Sequence, residues 1–224
     1  MGGLNMVTLV LIGANVIISY KGFNDFNFFE KYKFNIGGLR RKEQIRMLSS
    51  GFLHANTMHL FVNMFGLFLF ADLVIRGLGN FNFLIIYFGS LLAGNLLSFY
   101  FHKHEYHYSA VGASGAITGV LYAAILLDPI QKYYFLFLPP QIGSMDLGIP
   151  GYILGIAYML YSIYGMKRQT TNIGHDAHFG GAVGGYVLTL LLAPWLFKEH
   201  LVLILLLAIP IVLLFVLQRT GKLN

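Results

Sequence analysis

Ser114 stands in the run VGASGAITG, residues 111–119, at the start of an apolar stretch. A serine at a helix start has three uses. It can cap the helix by accepting from a free N–H. It can be one of the small residues that let helices approach: Gly112 and Ala116, like Gly115 and Gly119, are four apart. Or it can be a nucleophile, because the free N–H groups and the dipole at a helix N-terminus favour negative charge on an oxyanion. Taken alone, the run reads first as packing. A second run, GHDAHFGGAVGGY (174–186), sets His178, Gly181 and Gly185 at i, i+3 and i+7, on one helix face. That glycine-lined face suits a small-residue partner such as the helix that Ser114 begins. If the two faces meet, His178 comes to Ser114 as a base. His175 and Asp176 fall nearer the end of the span, where solvation is the expectation. Asp176, two residues from His178, points away from it on a helix. A third run, HANTMHLFVN (54–63), places His59 and Asn63 on one face at i and i+4. Both are neutral donors of the kind an oxyanion site needs. The bland alternative is an interhelical polar clamp of about 0.6 kcal/mol per bond. His54 is expected to support the loop. Nucleophile, base and oxyanion donors together make the constellation of acyl transfer.

These groups must be positioned by helices in a membrane. The chain has 224 residues, 57% hydrophobic and 11% charged, with mean hydropathy +0.68. A soluble domain carries about twice that charged fraction. Seven apolar runs, at about 4–20, 53–75, 81–101, 113–128, 149–166, 176–197 and 200–218, approach or reach the length that crosses a bilayer. They are too long for barrel strands, so the expected fold is all-α: a polytopic transmembrane helical bundle. The fourth run is short, which places its glycine-rich start below the membrane surface. The first lacks a basic n-region and an Ala-x-Ala cleavage site and reads as a retained helix rather than a signal peptide. The connection from Lys21 to Gly51 mixes aromatics with Lys and Arg and suits the interface. The formal charge of +6 lies in loops, so it points to headgroups and topology rather than nucleic acid. No cysteine is present, which excludes disulfides and thiol chemistry.

At these residues the chain resembles the rhomboids, intramembrane serine proteases. The likeness runs from about Glu43 to Tyr186. EQIRMLSSGFLHANTMHLFVNMFGLFLF resembles the family's block from first loop to second helix. GASG is similar to its Gly-x-Ser-Gly, and AHFGGAVGG to its Ala-His-xx-Gly-xxx-Gly. The resemblance implies a six-helix core (1–198, with an interfacial loop at 21–51) and an added C-terminal helix and tail (199–224). It implies Ser114 as nucleophile and His178 as general base. The oxyanion hole would be His59, Asn63 and the Ser114 N–H; His54, Gly112, Gly115, Gly181, Gly185 and Arg46 would support it. It places the N-terminus in the cytoplasm and the active-site mouth outside, in a bacterial inner membrane. The charge count opposes this, because the first loop is the most basic. The chain also departs from the family pattern. Ile45 replaces the Trp before Arg46. Thr118 stands where an aromatic often packs on the histidine. Asp72 is near, but not aligned with, a Glu that usually follows the second helix.

The function expected is a serine endopeptidase that cuts in or next to transmembrane helices, with membrane-protein substrates and lipid as partners. No metal, other cofactor, nucleotide or nucleic acid is expected. Tyr152, Tyr158, Tyr161 and Tyr164, with KRQTTNIG (167–174) after them, resemble the family's gate and cap. One rival is a non-proteolytic membrane chaperone on the same fold. Another is metal or haem binding through His54, His59, His102, His104, His107, His175 and His178. It lacks a His-Glu-x-x-His and a shell of carboxylates.

Overall fold

The computed structural model describes residues 5–134, 139–168 and 174–222. Leu4, at the start of the expected first span, and most of the KRQTTNIG run lie outside the described residues. The first helix, α1 (Met6–Asn24), begins where the Asn5 side chain accepts from the Val7 N–H. Asp25 ends it and caps α2 (Phe26–Tyr32), accepting from Phe28 at 2.9 Å. Strand β1 (Phe34–Asn35) leads into α3 (Ile36–Arg40), capped by Asn35, and then into α4 (Arg46–Ser49).

Helix α5 (Thr57–His102) is 46 residues long and is interrupted at Gly79, whose φ of 81° and ψ of 167° no right-handed helix contains. The break makes two arms, 57–78 and 80–102, that double back. Asn95, late in the second arm, donates to the carbonyl of Met47 at 2.7 Å, beside the start of the first. Strand β2 (Ser109–Ala110) pairs antiparallel with β1, Phe34 opposite Ala110. The segment between α1 and α5 is thereby fastened to the chain just before Ser114. Helix α6 (Ser114–Leu127) follows. At 14 residues it is about 21 Å long, against a bilayer core of about 30 Å. It is thus shorter than the bilayer core is thick.

At the opposite end, β3 (Lys132–Tyr133), β4 (Gln141–Ile142), β5 (Met145–Asp146) and β6 (Ile149–Pro150) form two small antiparallel pairs. Lys132 and Asp146 join across them at 2.5 Å. Helices α7 (Gly151–Arg168) and α8 (His175–Leu192) come next. The expected sixth span breaks at Pro194, and a short α9 (Leu196–Glu199) precedes α10 (Leu201–Arg219).

One apolar core joins α1, both arms of α5 and α6; a second joins α6, α7, α8 and α10. Helix α10 buries Ile204, Leu207, Pro210 and Leu214 and leaves Val202, Leu205, Ile209 and Val212 exposed. Such an apolar outer face is what lipid covers. By length and composition α1, α5 and α10 suffice to cross a membrane. The architecture is an all-α membrane bundle.

Candidate active site

The site begins at the head of α6. Gly112 holds φ at +127°, in the region where L side chains are strained, and its N–H donates to the Ser50 carbonyl at 3.0 Å. No side chain caps α6, and its ladder starts with Ile117 N–H on the Ala113 carbonyl at 2.9 Å. The first N–H groups of the helix, that of Ser114 included, have no partner within it.

His178 lies in the first turn of α8, and its Nε2 is 2.7 Å from Ser114 Oγ. Glycine makes this approach possible. A Cβ on Gly181 would run into the Gly115 carbonyl, and one on Gly185 into Gly119. A Cβ on Gly115 would sit 3.2 Å from the Ala177 carbonyl. The two helices touch backbone to backbone, as the i, i+3, i+7 stripe expects. The second arm of α5 completes the contact: a Cβ on Gly180 would come within 2.7 Å of the Ala93 carbonyl. The pairs Gly89 and Ala93, and Ser90 and Gly94, each four apart, were the available signal for this third helix.

His178 Nδ1 is 3.0 Å from Tyr158 Oη on α7, the rings inclined at 24°. Tyr158 Oη is 3.3 Å from Thr118 Oγ1, which donates to the Ser114 carbonyl at 2.8 Å. Thr118 thus reaches His178 through a tyrosine from another helix. The tyrosine-rich pattern of the fifth span was the available signal. Which of its tyrosines faces His178 depends on the crossing of α7 over α8.

His59 is close by. A Cβ on Gly112 would lie 2.8 Å from His59 Cε1 and Nε2, and 3.7 Å from Ser114 Oγ. His59 Nδ1 accepts from the Ala55 N–H at 3.5 Å, which leaves Nε2 as the donor facing the site. Asn63 is buried, and one of its amide N–H groups is spent on the His59 carbonyl at 2.8 Å. His54 is fully buried. Its Nδ1 donates to Ser19 Oγ at 2.8 Å, and Ser19 donates onward to the Phe52 carbonyl at 2.9 Å. That leaves His54 Nε2 to accept from the Ala113 N–H at 3.5 Å. His54 therefore ties α1 to the residue before Ser114.

Arg46 is buried and organises the preceding segment. It meets Glu43 at 2.6 Å and donates to the carbonyls of Glu30 and Lys33 at 2.8 and 2.9 Å. The hydrogen bond from Arg46, then that from Arg41, holds the Glu43 carboxyl below its usual range. Asp72 pairs with Arg76 on the exposed face of α5, away from these groups.

The expected solvation of His175 and Asp176 does not hold: they are 4% and 5% exposed. The chain between α5 and β2 folds over them. Tyr108 donates to Asp176 at 3.4 Å and stacks on His102 at 3.6 Å, and His102 Nε2 is 3.5 Å from the same carboxylate. Burial, then the Asp176 charge, pushes the Tyr108 phenol up, so it remains a donor. His175 lies under Gly165, with its ring edge to Tyr161. Among the described residues no three His, Asp or Glu side chains converge to hold a metal ion.

The Rhomboid domain family model matches residues 41–195. RHOMBOID-like protein 12, mitochondrial, of Arabidopsis thaliana is 25% identical over 191 residues, covering 78% of this chain and 54% of that protein. YdcA, a rhomboid of Bacillus subtilis (strain 168), is 32% identical over 154 residues, covering 69% and 70%. The rhomboid protease GluP of the same bacterium is 30% identical over 141 residues, covering 63% of this chain and 24% of GluP. The chain thus spans about half of the first relative and a quarter of the last. The matched span holds all three polar runs and both α6 and α8, and on that ground the chain is an integral membrane protein of the rhomboid family.

Proposed function

We propose that the chain is an intramembrane serine endopeptidase that hydrolyses peptide bonds in or next to the transmembrane helices of membrane proteins. The observation that carries this reading is the 2.7 Å approach of His178 Nε2 to Ser114 Oγ at the uncapped head of α6. Ser114 Oγ attacks the scissile carbonyl as its proton passes to His178 Nε2. The oxyanion forms beside the Ser114 N–H and the Nε2–H of His59, with the second amide N–H of Asn63 as a further donor. The His178 imidazolium returns the proton to the leaving amine. Water then repeats the cycle on the acyl-enzyme. His54, Gly112, Gly115, Gly181, Gly185 and Arg46 act by placement alone.

A carbonyl held in a helix cannot be attacked, so preferred substrates carry helix-weakening Gly, Ser or Pro near the cut. The membrane is that of a bacterial cell, with the site opening outward; mitochondrial and chloroplastic relatives exist as well. A fluorophosphonate probe tests the reading. Wild type labels; Ser114→Ala and His178→Ala do not. Equal labelling of all three ends the protease proposal and leaves a binding or chaperone role on the same fold.

A further inference from the structure

We infer that Tyr158 is a positioning residue that holds His178 in the one neutral tautomer able to act as a base. The inference rests on the reading of His178 as that base. The series of hydrogen bonds starts from an atom that carries no proton. The Ser114 carbonyl can only accept, so at 2.8 Å the Thr118 hydroxyl must donate to it. With its proton spent there, Thr118 Oγ1 can only accept from Tyr158 Oη, 3.3 Å away. With its own proton spent on Thr118, Tyr158 can only accept from His178 Nδ1, 3.0 Å away. His178 is therefore protonated on Nδ1 and bare on Nε2, and Nε2 is the atom that faces Ser114 Oγ at 2.7 Å. Every donor in the series is used once, and the series returns to the residue that it serves. The alternative tautomer puts its proton between Nε2 and Ser114, where it cannot take the serine proton.

The catalytic pair lies on α6 and α8, but the tautomer is set from α7. Helix α7 also reaches α6 through the Tyr122 hydroxyl, which donates to the Gly155 carbonyl. Any displacement of α7 that parts Tyr158 from His178 releases Nδ1 while leaving Ser114 and His178 in place. Competence of the base thus reports the seating of α7. In an acyl-transfer triad a carboxylate performs the orienting task; here a neutral phenol does so, and Asp176 is turned to Tyr108 and His102 instead.

The test uses the full-length protein in detergent micelles, with ¹⁵N-labelled histidine and a cleavable transmembrane substrate. The signal lost in His178→Ala identifies that ring. In wild type it should show a protonated Nδ1 and a bare Nε2. In Tyr158→Phe, which keeps the ring, the signal should move to a tautomer mixture. There kcat should fall about tenfold, the scale of one net hydrogen bond, with KM within about twofold. Thr118→Val should change both in the same direction and by less, since Tyr158 keeps its bond to Nδ1 but loses its direction. A wild-type ring protonated on Nε2 overturns the inference, as does Tyr158→Phe with unchanged kcat and spectrum. Undiminished cleavage by Ser114→Ala, run alongside, overturns instead the reading of Ser114 as nucleophile and His178 as its base.

Discussion

At the residue scale, the two functions of small residues meet at Gly112. Its φ of +127° costs an L side chain about 1–3 kcal/mol. A Cβ there would also press on the His59 ring at 2.8 Å, next to Ser114 Oγ. Gly112→Ala should therefore lower stability by about 2 kcal/mol and slow fluorophosphonate labelling by about a hundredfold, the cost of moving an oxyanion donor by roughly an ångström. Thermal unfolding and labelling rate, measured on the same preparation, check this. A stability loss with labelling unchanged would mean that the His59 ring does not bear on the oxyanion. The meeting of Ser114 and His178 was legible because it depends on spacing within each helix: Gly181 and Gly185 mark the face that His178 shares. Tyr158 was not, because its partner is set by how α7 crosses α8, which no spacing inside either helix records. The burial of Asp176 is hidden from the sequence for a related reason. The residue's place near a helix end suggests water, but His102, the last residue of α5, and Tyr108, from the loop after it, come over it.

At the scale of elements, the site is as precise as the contact between α6 and α8. Gly181 is its tightest point, since a Cβ would fall against the Gly115 carbonyl, and backbone cannot rotate aside as a side chain can. Gly181→Ala should spread the helices, cost about 1–3 kcal/mol, and reduce cleavage about a hundredfold by widening the gap from His178 to Ser114. Gly13 supplies the control. It lies in α1 with nothing within 4 Å of its would-be Cβ. Gly13→Ala should be neutral or stabilise by about 0.5–1 kcal/mol, with cleavage unchanged. Chemical denaturation alongside the cleavage assay checks both; equal effects of the two changes would remove the backbone contact as the positioning device. Other element boundaries show what patterning resolves. The expected spans at 53–75 and 81–101 correspond to the two arms of α5, 57–78 and 80–102; hydropathy marks the apolar runs but not the φ of Gly79, which divides them. The start moved from 53 to Thr57 because Leu53 to Asn56 form a buried-to-exposed approach that ends in an Asn56 cap, its side chain accepting from His59 N–H.

At the scale of the whole molecule, charge and family reading disagree about which way the bundle faces. The connectivity puts α1's end, the first loop, the α5–α6 loop, the end of α7 and the end of α10 on the side of Ser114. Every Lys and Arg except Arg76, Lys132 and Lys198 lies on that side. By the bias of basic loops toward the cytoplasm, the Ser114 end would face inward. Once folded, part of this charge is compensated. Arg46 and Arg41 meet Glu43, Lys33 meets Glu30, and Lys21 and Lys31 lie over the rings of Phe28 and Tyr32. The bias acts during insertion, however, before these pairs exist, so they do not by themselves excuse the exception. What favours an outward mouth is the proposed chemistry's place in a rhomboid frame, and the absence of cysteine makes the question easy to put. His104 is exposed at the Ser114 end, and Ser144 is exposed at the other. On intact cells a membrane-impermeant maleimide should label His104→Cys, and should label Ser144→Cys only after permeabilisation. The reverse pattern would leave the pairing of Ser114 and His178 untouched, since nothing in that geometry depends on sidedness. It would move the active-site mouth to the cytoplasmic face, so that substrates would have to present their weakened helix ends from within.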